Sequence, residues 1–212
     1  MLLLSDPKVA AVGVQENGEA LVDLRSSGLR LDPRYADETG AFAFVRRGVQ
    51  DRLHRAQAAL PAGVYLLVVE GWRSLAAQHR LFDAYTATVR AASPDLDDGQ
   101  VRSATSAYIA PPELAPHTTG GAVDVTLCDA DGIELDMGTA LNATPLESGN
   151  LCYTDAADLE PLARRNRGLL VFTLTRAGLV NYPTEWWHWS YGDRYWAISI
   201  GEPQAIYGPV SP

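Results

Sequence analysis

The segment PTEWWHWSYGDRYW at residues 183–196 carries four of the five tryptophans of the chain. Aromatic side chains at this density bury large areas and therefore fix part of a hydrophobic core. Glu185 and His188 lie three residues apart inside the segment. Buried polar groups need partners, because they lose their hydrogen bonds to water. The segment predicts either an aromatic core strand with a trapped histidine or one wall of a polar site.

The composition is that of an ordinary globular protein. With 212 residues, of which 47% are hydrophobic and 20% charged, the chain can build one sizeable core. We therefore expect a single domain over residues 1–212. The net charge of −9 argues against nucleic acid or an anionic membrane as a partner. The sequence leaves a homo-oligomer open.

Targeting signals are not evident in the sequence. The N-terminal stretch MLLLSDPKVA lacks the basic start of a signal peptide, and Asp6 interrupts its leucines early. No apolar run approaches the roughly 18 residues that a membrane-spanning helix needs. Nothing in the spacing of Cys128 and Cys152 demands a disulfide, so we interpret them as free thiols in a reducing compartment. The expected location is the cytoplasm.

Hydrophobic periodicity predicts a mixture of helices and strands. Helical spacing of apolar residues predicts three helices, over 43–60, over 75–92 with Ser74 as N-cap, and over 161–178. Apolar or alternating runs predict strands at 64–70 and 121–127, a hairpin from 129–132 into 133–137, a loop at 93–100 and a strand in the aromatic segment. Because no regular βαβ rhythm is present, the fold class is α+β, with a central, mainly antiparallel sheet flanked by helices.

A second polar pair lies upstream, in the sequence PHTTGGAVDVTL. His117 and Asp124 are seven residues apart, and Gly120 and Gly121 between them would allow a sharp bend before the strand. Asp124 lies among apolar residues of that strand, where a carboxylate is costly unless it is paired or bound to a metal. The pair is therefore a candidate for part of a polar site.

Together the two pairs could form one catalytic metal site. His117, Asp124 and His188 match the three protein ligands of a catalytic zinc, and Glu185 could take a proton from the water in the fourth position. On a regular strand Glu185 and His188 would point to opposite faces, so EWWH must bulge or turn. Spacing alone leaves an alternative open, with two core histidines and two ordinary salt-bridged carboxylates, because no compact metal motif such as H-E-x-x-H is present.

Several short motifs resemble one enzyme family. HTTGGAVDVTL resembles the H-x-x-G-x-A-x-D-x-T pattern of the zinc D-alanyl-D-alanine dipeptidases associated with vancomycin resistance. EWWHW, EGWR (70–73), DMGT (136–139) and VDLR (22–25) resemble further segments of that family, in the same order. The likeness covers most of the chain. It implies the zinc DD-peptidase (hedgehog-like) fold, which the zinc DD- and LD-carboxypeptidases share.

Applied residue by residue, the resemblance implies a catalytic set. His117, Asp124 and His188 would bind one Zn²⁺ ion, and Glu185 would act as general base and then general acid. Arg73 would stabilise the charge that develops on the carbonyl oxygen. The implied activity is hydrolysis of a small dipeptide, with D-alanyl-D-alanine as the favoured substrate.

The resemblance also bears on substrate contacts. Tyr35 resembles a family tyrosine near the substrate, and Trp186 and Trp187 would wall the cleft. Asn142 stands where the family often has an aspartate, which removes a charge that could pair with a substrate ammonium group.

Further departures lie next to the catalytic set. Ser74 replaces the proline that commonly follows the arginine, and Ala115 and Pro116 replace residues that include a serine before the first histidine. The ligand set itself is intact.

Three alternatives remain beside the dipeptidase. The first is a carboxypeptidase acting on larger peptidoglycan peptides, and the second is a dipeptidase with a different specificity. The third is a metal-retaining binding protein without catalysis, which is disfavoured because both Glu185 and Arg73 are present.

Overall fold

A computed structural model of the chain describes residues 2–36, 38–106 and 108–211. Its strands are β1 (Gly13–Val14), β2 (Leu21–Asp23), β3 (Arg30–Leu31), β4 (Phe44–Arg46), β5 (Tyr65–Glu70), β6 (Ala122–Cys128), β7 (Val180–Asn181), β8 (His188–Ser190) and β9 (Gln204–Ala205). Its α-helices are α1 (Pro7–Ala10), α2 (Arg47–Ala59), α3 (Leu75–Ala92), α4 (Asp98–Ser106), α5 (Pro145–Ser148), α6 (Pro161–Arg176) and α7 (Arg194–Ile200). Within these residues no helix is long and apolar enough to cross a membrane.

The central sheet has five strands in the order β3-β5-β6-β8-β7. β3 and β5 are parallel, and the other three neighbouring pairs are antiparallel. Two small pairs lie outside this sheet, with β2 antiparallel to β4 and β1 parallel to β9. The predicted fold class, α+β with a mainly antiparallel sheet, is therefore confirmed.

Strand β6 runs through the middle of the sheet, and all seven of its residues are buried. Val123, Val125 and Leu127 belong to the main hydrophobic core, together with residues of α2 and α6. Burying each such side chain stabilises the fold by about 1.5–3 kcal/mol. Because side chains alternate along a strand, Asp124 points to the opposite face of the sheet.

Two of the predicted helices agree with the structure. The Ser74 hydroxyl accepts a hydrogen bond from the Ala77 N–H at 3.1 Å, and α3 spans 75–92 as expected. Helix α6 begins at Pro161, and the chain leaves it through Gly178, whose φ is 92°. The helix predicted over 43–60 is wrong at its start, because residues 44–46 pair with β2 as strand β4 before α2 begins at Arg47.

Other predictions of local structure are only partly correct. Of the aromatic segment, residues 188–190 form strand β8, and α7 follows at Arg194 with Asp193 as its N-cap. The loop predicted at 93–100 is shorter, since α4 begins at Asp98. The turn at 129–132 is present, but residues 133–137 add only an isolated bridge between Cys128 and Glu134 to the predicted hairpin.

Candidate metal and catalytic centre

The antiparallel register of β6 and β8 places Asp124 directly opposite His188. Directly opposed side chains lie on the same face of a sheet, within contact distance. The Asp124 Oδ1 atom lies 3.0 Å from His188 Nδ1, and both side chains are buried. Strand pairing alone therefore brings two of the three candidate metal ligands together.

His117 reaches the same point from a 3-10 turn that precedes β6. The turn spans Pro116–Thr119, and Gly120 then adopts the left-handed conformation at φ 69°, so the expected bend is present. At Gly121 a Cβ would lie 2.5 Å from the Tyr191 carbonyl oxygen, so only glycine fits there. The two glycines turn the chain so that His117 faces Asp124.

The tautomer of His117 follows from its contacts. Its Nδ1 atom lies 2.7 Å from the carbonyl oxygen of Gly71. Since a carbonyl can only accept, Nδ1 carries the hydrogen and Nε2 is left with a free lone pair. Nε2 lies 3.2 Å from His188 Nδ1 and 3.4 Å from Asp124 Oδ1. A backbone carbonyl behind a histidine is the usual way to orient a metal ligand.

The three atoms have the spacing that a metal ion requires. Their separations are 3.0, 3.2 and 3.4 Å. Ligands at about 2.0–2.1 Å from a tetrahedral zinc lie roughly 3.3 Å from one another. His117, Asp124 and His188 therefore form a donor set that could hold one metal ion.

Ordinary core packing does not account for His188. Its Nε2 atom is buried and has no hydrogen-bond partner among the described residues. The alternative of two fully satisfied core histidines therefore does not fit this residue, because a buried imidazole nitrogen without a partner is costly. Its Nδ1 atom faces Asp124 and His117 and is the ring nitrogen available to a metal ion.

Electrostatics keep Asp124 ionised. Burial raises the pKa of this carboxyl group, but His117 and His188 outweigh burial and hold the pKa well below its usual range. Burial lowers the pKa of His117, whereas Asp124 raises it, and the net pKa is raised. The centre is thus built around a buried carboxylate anion, which is a suitable ligand for a cation.

Glu185 is brought beside His188 by two successive turns in the connection between β7 and β8. The Glu185 N–H donates to the Tyr182 carbonyl at 2.9 Å, and the His188 N–H donates to the Glu185 carbonyl at 3.1 Å. The Asn181 side-chain amide donates to the carbonyls of Glu185 and His188, at 3.1 and 3.0 Å. The turn that the sequence required is present, and Glu185 Oε2 lies 4.0 Å from His188 Nδ1.

The surroundings of Glu185 suit proton transfer. Burial raises the pKa of this carboxyl group to about 7, and the charge of Asp124 also raises it, whereas His188 and Arg73 lower it. The side chain keeps 23% of its surface exposed. A carboxyl group with a pKa near the working pH can both accept a proton and return it.

Arg73 lies three residues beyond β5, held by two neighbours. Its Nε and Nη2 atoms donate to the two oxygens of Glu70 at 2.7 and 2.6 Å, and Nη1 donates to Gln78 Oε1 at 2.7 Å. Burial lowers the pKa of Arg73, but Glu70 outweighs this and the net pKa is raised, so the guanidinium stays charged. Neither partner is predicted from the sequence, although Glu70 is the first residue of EGWR.

A cleft of about 480 Å³ opens above the centre. Its lining includes the three candidate metal ligands, together with Glu185, Arg73, Ala115, Pro116, Asn142 and Trp187. Trp187 therefore lies where the sequence placed it, and Asn142 reaches the cleft from a backbone at φ 63°.

Of two further expected substrate contacts, one lies in the core and the other falls outside the described part of the structure. The expectation that Trp186 walls the cleft is wrong, because its side chain lies in the core and its Nε1 donates to Thr139 Oγ1 at 2.8 Å. The backbone of Tyr35 ends a 3-10 turn, Pro33–Tyr35, but its side chain lies outside the described part of the structure.

Comparison with known proteins identifies the family. Residues 33–205 match the peptidase M15 family, described as D-ala-D-ala dipeptidase. A D-alanyl-D-alanine dipeptidase of Synechocystis sp. is 28% identical over 235 residues, which cover 94% of this chain and 95% of that protein. The D-alanyl-D-alanine dipeptidase of Escherichia coli K12 is 38% identical over 72 residues, which are 34% of this chain and 35% of that protein.

The fold recurs in a solved structure. The LdcB LD-carboxypeptidase is 18% identical and superposes with a TM-score of 0.52 over 88% of this chain and 73% of its own. This likeness confirms the expected fold. The match over residues 33–205 covers most of the chain and includes all five residues of the centre. The chain therefore belongs to the peptidase M15 family of D-alanyl-D-alanine dipeptidases and is a zinc metallopeptidase.

Proposed function

We propose that this chain hydrolyses a small dipeptide, with D-alanyl-D-alanine as the favoured substrate, at one zinc ion held by His117, Asp124 and His188. The observation that carries the proposal is the convergence of three ligand atoms within 3.4 Å at the floor of a cleft. Glu185 and Arg73 line the same cleft, as hydrolysis of a peptide bond requires. The family of the chain supports the same substrate class.

The residues of the cleft have separate tasks in this reaction. When bound, zinc acts as a Lewis acid and lowers the pKa of a water molecule. Glu185 takes the proton of the attacking water and later gives it to the leaving nitrogen, for which a pKa of about 7 is well matched. Arg73, fixed by Glu70 and Gln78, presents a positive charge to the oxygen of the scissile carbonyl as that oxygen becomes negative.

The first test is metal content. Protein purified without added zinc is expected to contain about one zinc per chain, because the ligand atoms already have tetrahedral spacing. His117→Ala should lose most of this zinc, whereas the exposed His79→Ala should keep it. Purified protein that contains no zinc and cannot be refilled would contradict the site.

The second test is turnover of dipeptides. We expect alanine release from D-Ala-D-Ala to exceed release from L-Ala-L-Ala. Glu185→Ala should retain zinc and lose turnover by about 10²–10⁴-fold, because the proton acceptor is gone. The exposed Glu202→Ala serves as the matched control and should be fully active. Undiminished turnover in Glu185→Ala would remove this residue as the base.

A carboxypeptidase acting on longer peptides is the second candidate. It is favoured by the volume of the cleft, about 480 Å³, which exceeds what a dialanine needs. N-acetyl-D-Ala-D-Ala separates the two functions, because its blocked amine imitates a longer chain. A higher kcat/KM for the acetylated peptide than for the free dipeptide would establish the carboxypeptidase.

Two further expectations remain part of the proposal. We infer one domain for residues 1–212, because one cluster of buried side chains extends from Leu24 to Tyr207. We also infer a cytoplasmic location, since Cys128 and Cys152 are both buried and free, as cysteines in a reducing compartment are. Protease resistance of the intact chain and fractionation of cells that produce it would check these two inferences.

A further inference from the structure

One face of α3 lines the cleft and is not used in the core. The helix is 18 residues long, yet its buried residues are Gln78 and Phe82. Phe82 faces α4, where the Arg102 guanidinium lies 5.4 Å from its ring. Leu81 and Tyr85 instead line the cleft, and both lie outside the two hydrophobic core clusters. An amphipathic helix normally buries its apolar face, yet this face packs into neither core cluster, and the ring of Tyr85 contacts Tyr108 at the cleft.

Two further apolar residues, Tyr108 and Ile109, line the cleft, and the Tyr108 ring contacts α3. The rings of Tyr85 and Tyr108 lie 5.0 Å apart, and the Tyr108 hydroxyl donates to the Asn142 carbonyl at 3.2 Å. Aromatic side chains held in this way form a rigid contact surface at little entropic cost. We define the apolar wall by five residues that line the cleft: Leu81, Ala84, Tyr85, Tyr108 and Ile109.

The apolar wall is continuous with the catalytic centre, yet it carries no charge. The charged residues of the cleft lining are Arg73, Asp124 and Glu185, all at the metal end. Beyond them, the described lining consists of apolar side chains and neutral polar ones. A charged group placed there would lose water without gaining a partner, whereas an apolar group would gain from burial.

The part of the cleft that runs along α3 is longer than a dialanine. Gln78, which contacts Arg73, and Thr88 both line the cleft. These two positions are separated by about 15 Å along the helix axis, at a rise of roughly 1.5 Å per residue. A dipeptide with two methyl side chains would therefore fill the metal end and leave the apolar wall uncovered.

We propose that the apolar wall is a side-chain subsite, and that the preferred substrate is a D,D-dipeptide in which one residue is bulky and apolar, such as leucine or phenylalanine. The proposal rests on the proposed function, and within its class of small D,D-dipeptides it replaces D-alanyl-D-alanine as the favoured substrate by dipeptides that cover the wall. The neutral lining selects against charged side chains, and the rigid tyrosine pair favours flat or branched apolar groups.

The test compares kcat/KM of the zinc-loaded protein for D-Ala-D-Ala, D-Leu-D-Ala, D-Ala-D-Leu, D-Phe-D-Ala and D-Ala-D-Phe. At least one bulky dipeptide is expected to exceed dialanine by about 10–100-fold, the range that apolar pockets achieve. Leu81→Ser should lower this preference by about 10-fold. Leu75→Ser is the matched control and should leave it unchanged, because Leu75 is a similarly exposed leucine of α3, at 43% against 39%, outside the cleft.

Binding to the zinc-loaded Glu185→Gln variant gives a readout that does not need turnover. Calorimetric titration with the same five dipeptides should show tighter binding of a bulky one, and adding Leu81→Ser should remove the difference. If the wild-type protein cleaves no dipeptide, the proposed function fails, but this binding preference would still uphold the subsite.

Two results would overturn the subsite. The first is a dialanine that is bound and cleaved at least as well as all four bulky dipeptides, which would leave the proposed dipeptidase intact. The second is a preference for N-acetyl-D-Ala-D-Ala over every free dipeptide, because the wall would then accept main chain in place of a side chain.

Discussion

At the scale of single residues, Glu185 shows what the catalytic centre costs the fold. A carboxyl group is held where burial and the neighbouring Asp124 charge oppose ionisation, so that its pKa is raised to about 7. Such a group is useful for proton transfer but disfavours the folded state whenever it is ionised. The proposed role of Glu185 and the stability of the folded protein are thus opposed at this position.

The destabilisation caused by ionised Glu185 depends on pH in a defined range. The pKa of Glu185 rises from 4.5, its ordinary value, to about 7 on folding. Between these values the folded protein binds more protons than the unfolded chain, so the stability of the metal-free protein falls as pH rises and stays reduced above 7. Glu185→Gln should therefore stabilise the metal-free protein by about 1–3 kcal/mol at pH 8 and have little effect at pH 4.

Urea unfolding in the presence of a chelator measures this difference at both pH values. Glu202→Gln, at an exposed position, should change stability by the same small amount at pH 4 and pH 8. An equal effect of Glu185→Gln at the two pH values would contradict the raised pKa.

Arg73 depends on Glu70 for its position. The two oxygens of Glu70 accept from Nε and Nη2, and an amide could accept only with its single oxygen. Glu70→Gln should therefore keep zinc but lower kcat by about 10-fold, with a smaller change in KM, because a misplaced donor weakens stabilisation of the transition state. Asp98→Asn breaks the exposed ion pair with Arg90 and should leave both constants unchanged. A normal kcat in Glu70→Gln would show that Gln78 alone fixes Arg73.

At the scale of elements, the connection between β7 and β8 places Glu185 beside His188, as the proposed base and metal ligand require. Asn181 ties its two turns together, and its own Oδ1 accepts from the Thr154 hydroxyl at 2.5 Å. Asn181→Ala removes these hydrogen bonds from a partly buried position. We expect a loss of about 1–3 kcal/mol in stability and zinc binding weakened by about 10–100-fold.

Competition with a chromophoric chelator measures the zinc affinity, and thermal unfolding measures the stability. Asn166→Ala, which loses one hydrogen bond to the Asp136 carbonyl, is the comparison outside the cleft. Equal zinc affinities in the two variants would contradict a role for Asn181 in positioning the ligand.

Local signals explain which elements the sequence could predict. Helix α3 was predicted with correct bounds because the Ser74 cap and the apolar stripe lie within the helix itself. The secondary structure of the aromatic segment was predicted only in part, because tryptophan indicates burial without distinguishing a strand from a turn or a helix. Asp193, three residues before the end of the aromatic segment, is a helix N-cap and could have signalled α7.

In the candidate centre, too, local features could be predicted from the sequence and contacts between distant segments could not. Histidines and carboxylates in apolar surroundings are conspicuous in a sequence, because buried polar groups need partners. His117, Asp124, His188 and Glu185 could therefore be selected as candidates from the sequence. Their supporting contacts could not, because the Gly71 carbonyl behind His117 depends on which segments meet in the fold.

At the scale of the whole molecule, Arg46 joins distant parts of the chain behind the centre. This buried side chain donates to the carbonyls of Thr119, Glu19 and Gly208, and to the Glu16 carboxylate at 3.0 Å. Thr119 belongs to the turn that carries His117. Arg46 therefore links both terminal segments to the turn that carries His117, a proposed metal ligand.

Replacing Arg46 should affect the molecule as a unit. Arg46→Met is expected to lower the free energy of unfolding by about 3–5 kcal/mol, because several buried acceptors lose their donor. Arg47→Met, at the exposed neighbouring position, should change it by less than about 0.5 kcal/mol. Guanidinium unfolding measures both. Similar values for the two variants would show that the network is not needed.

The position of the C-terminal segment also constrains how the protein is made. Residue 210 donates to the Thr118 carbonyl at 3.0 Å, and β9 pairs with β1 from the other end of the chain. A ribosome releases β1 long before it has synthesised these partners, so nearly the whole sequence must emerge before the support behind His117 can close. Nascent chains arrested before residue 204 should therefore fail to retain zinc, and the first metal ion is acquired only after most of translation is over.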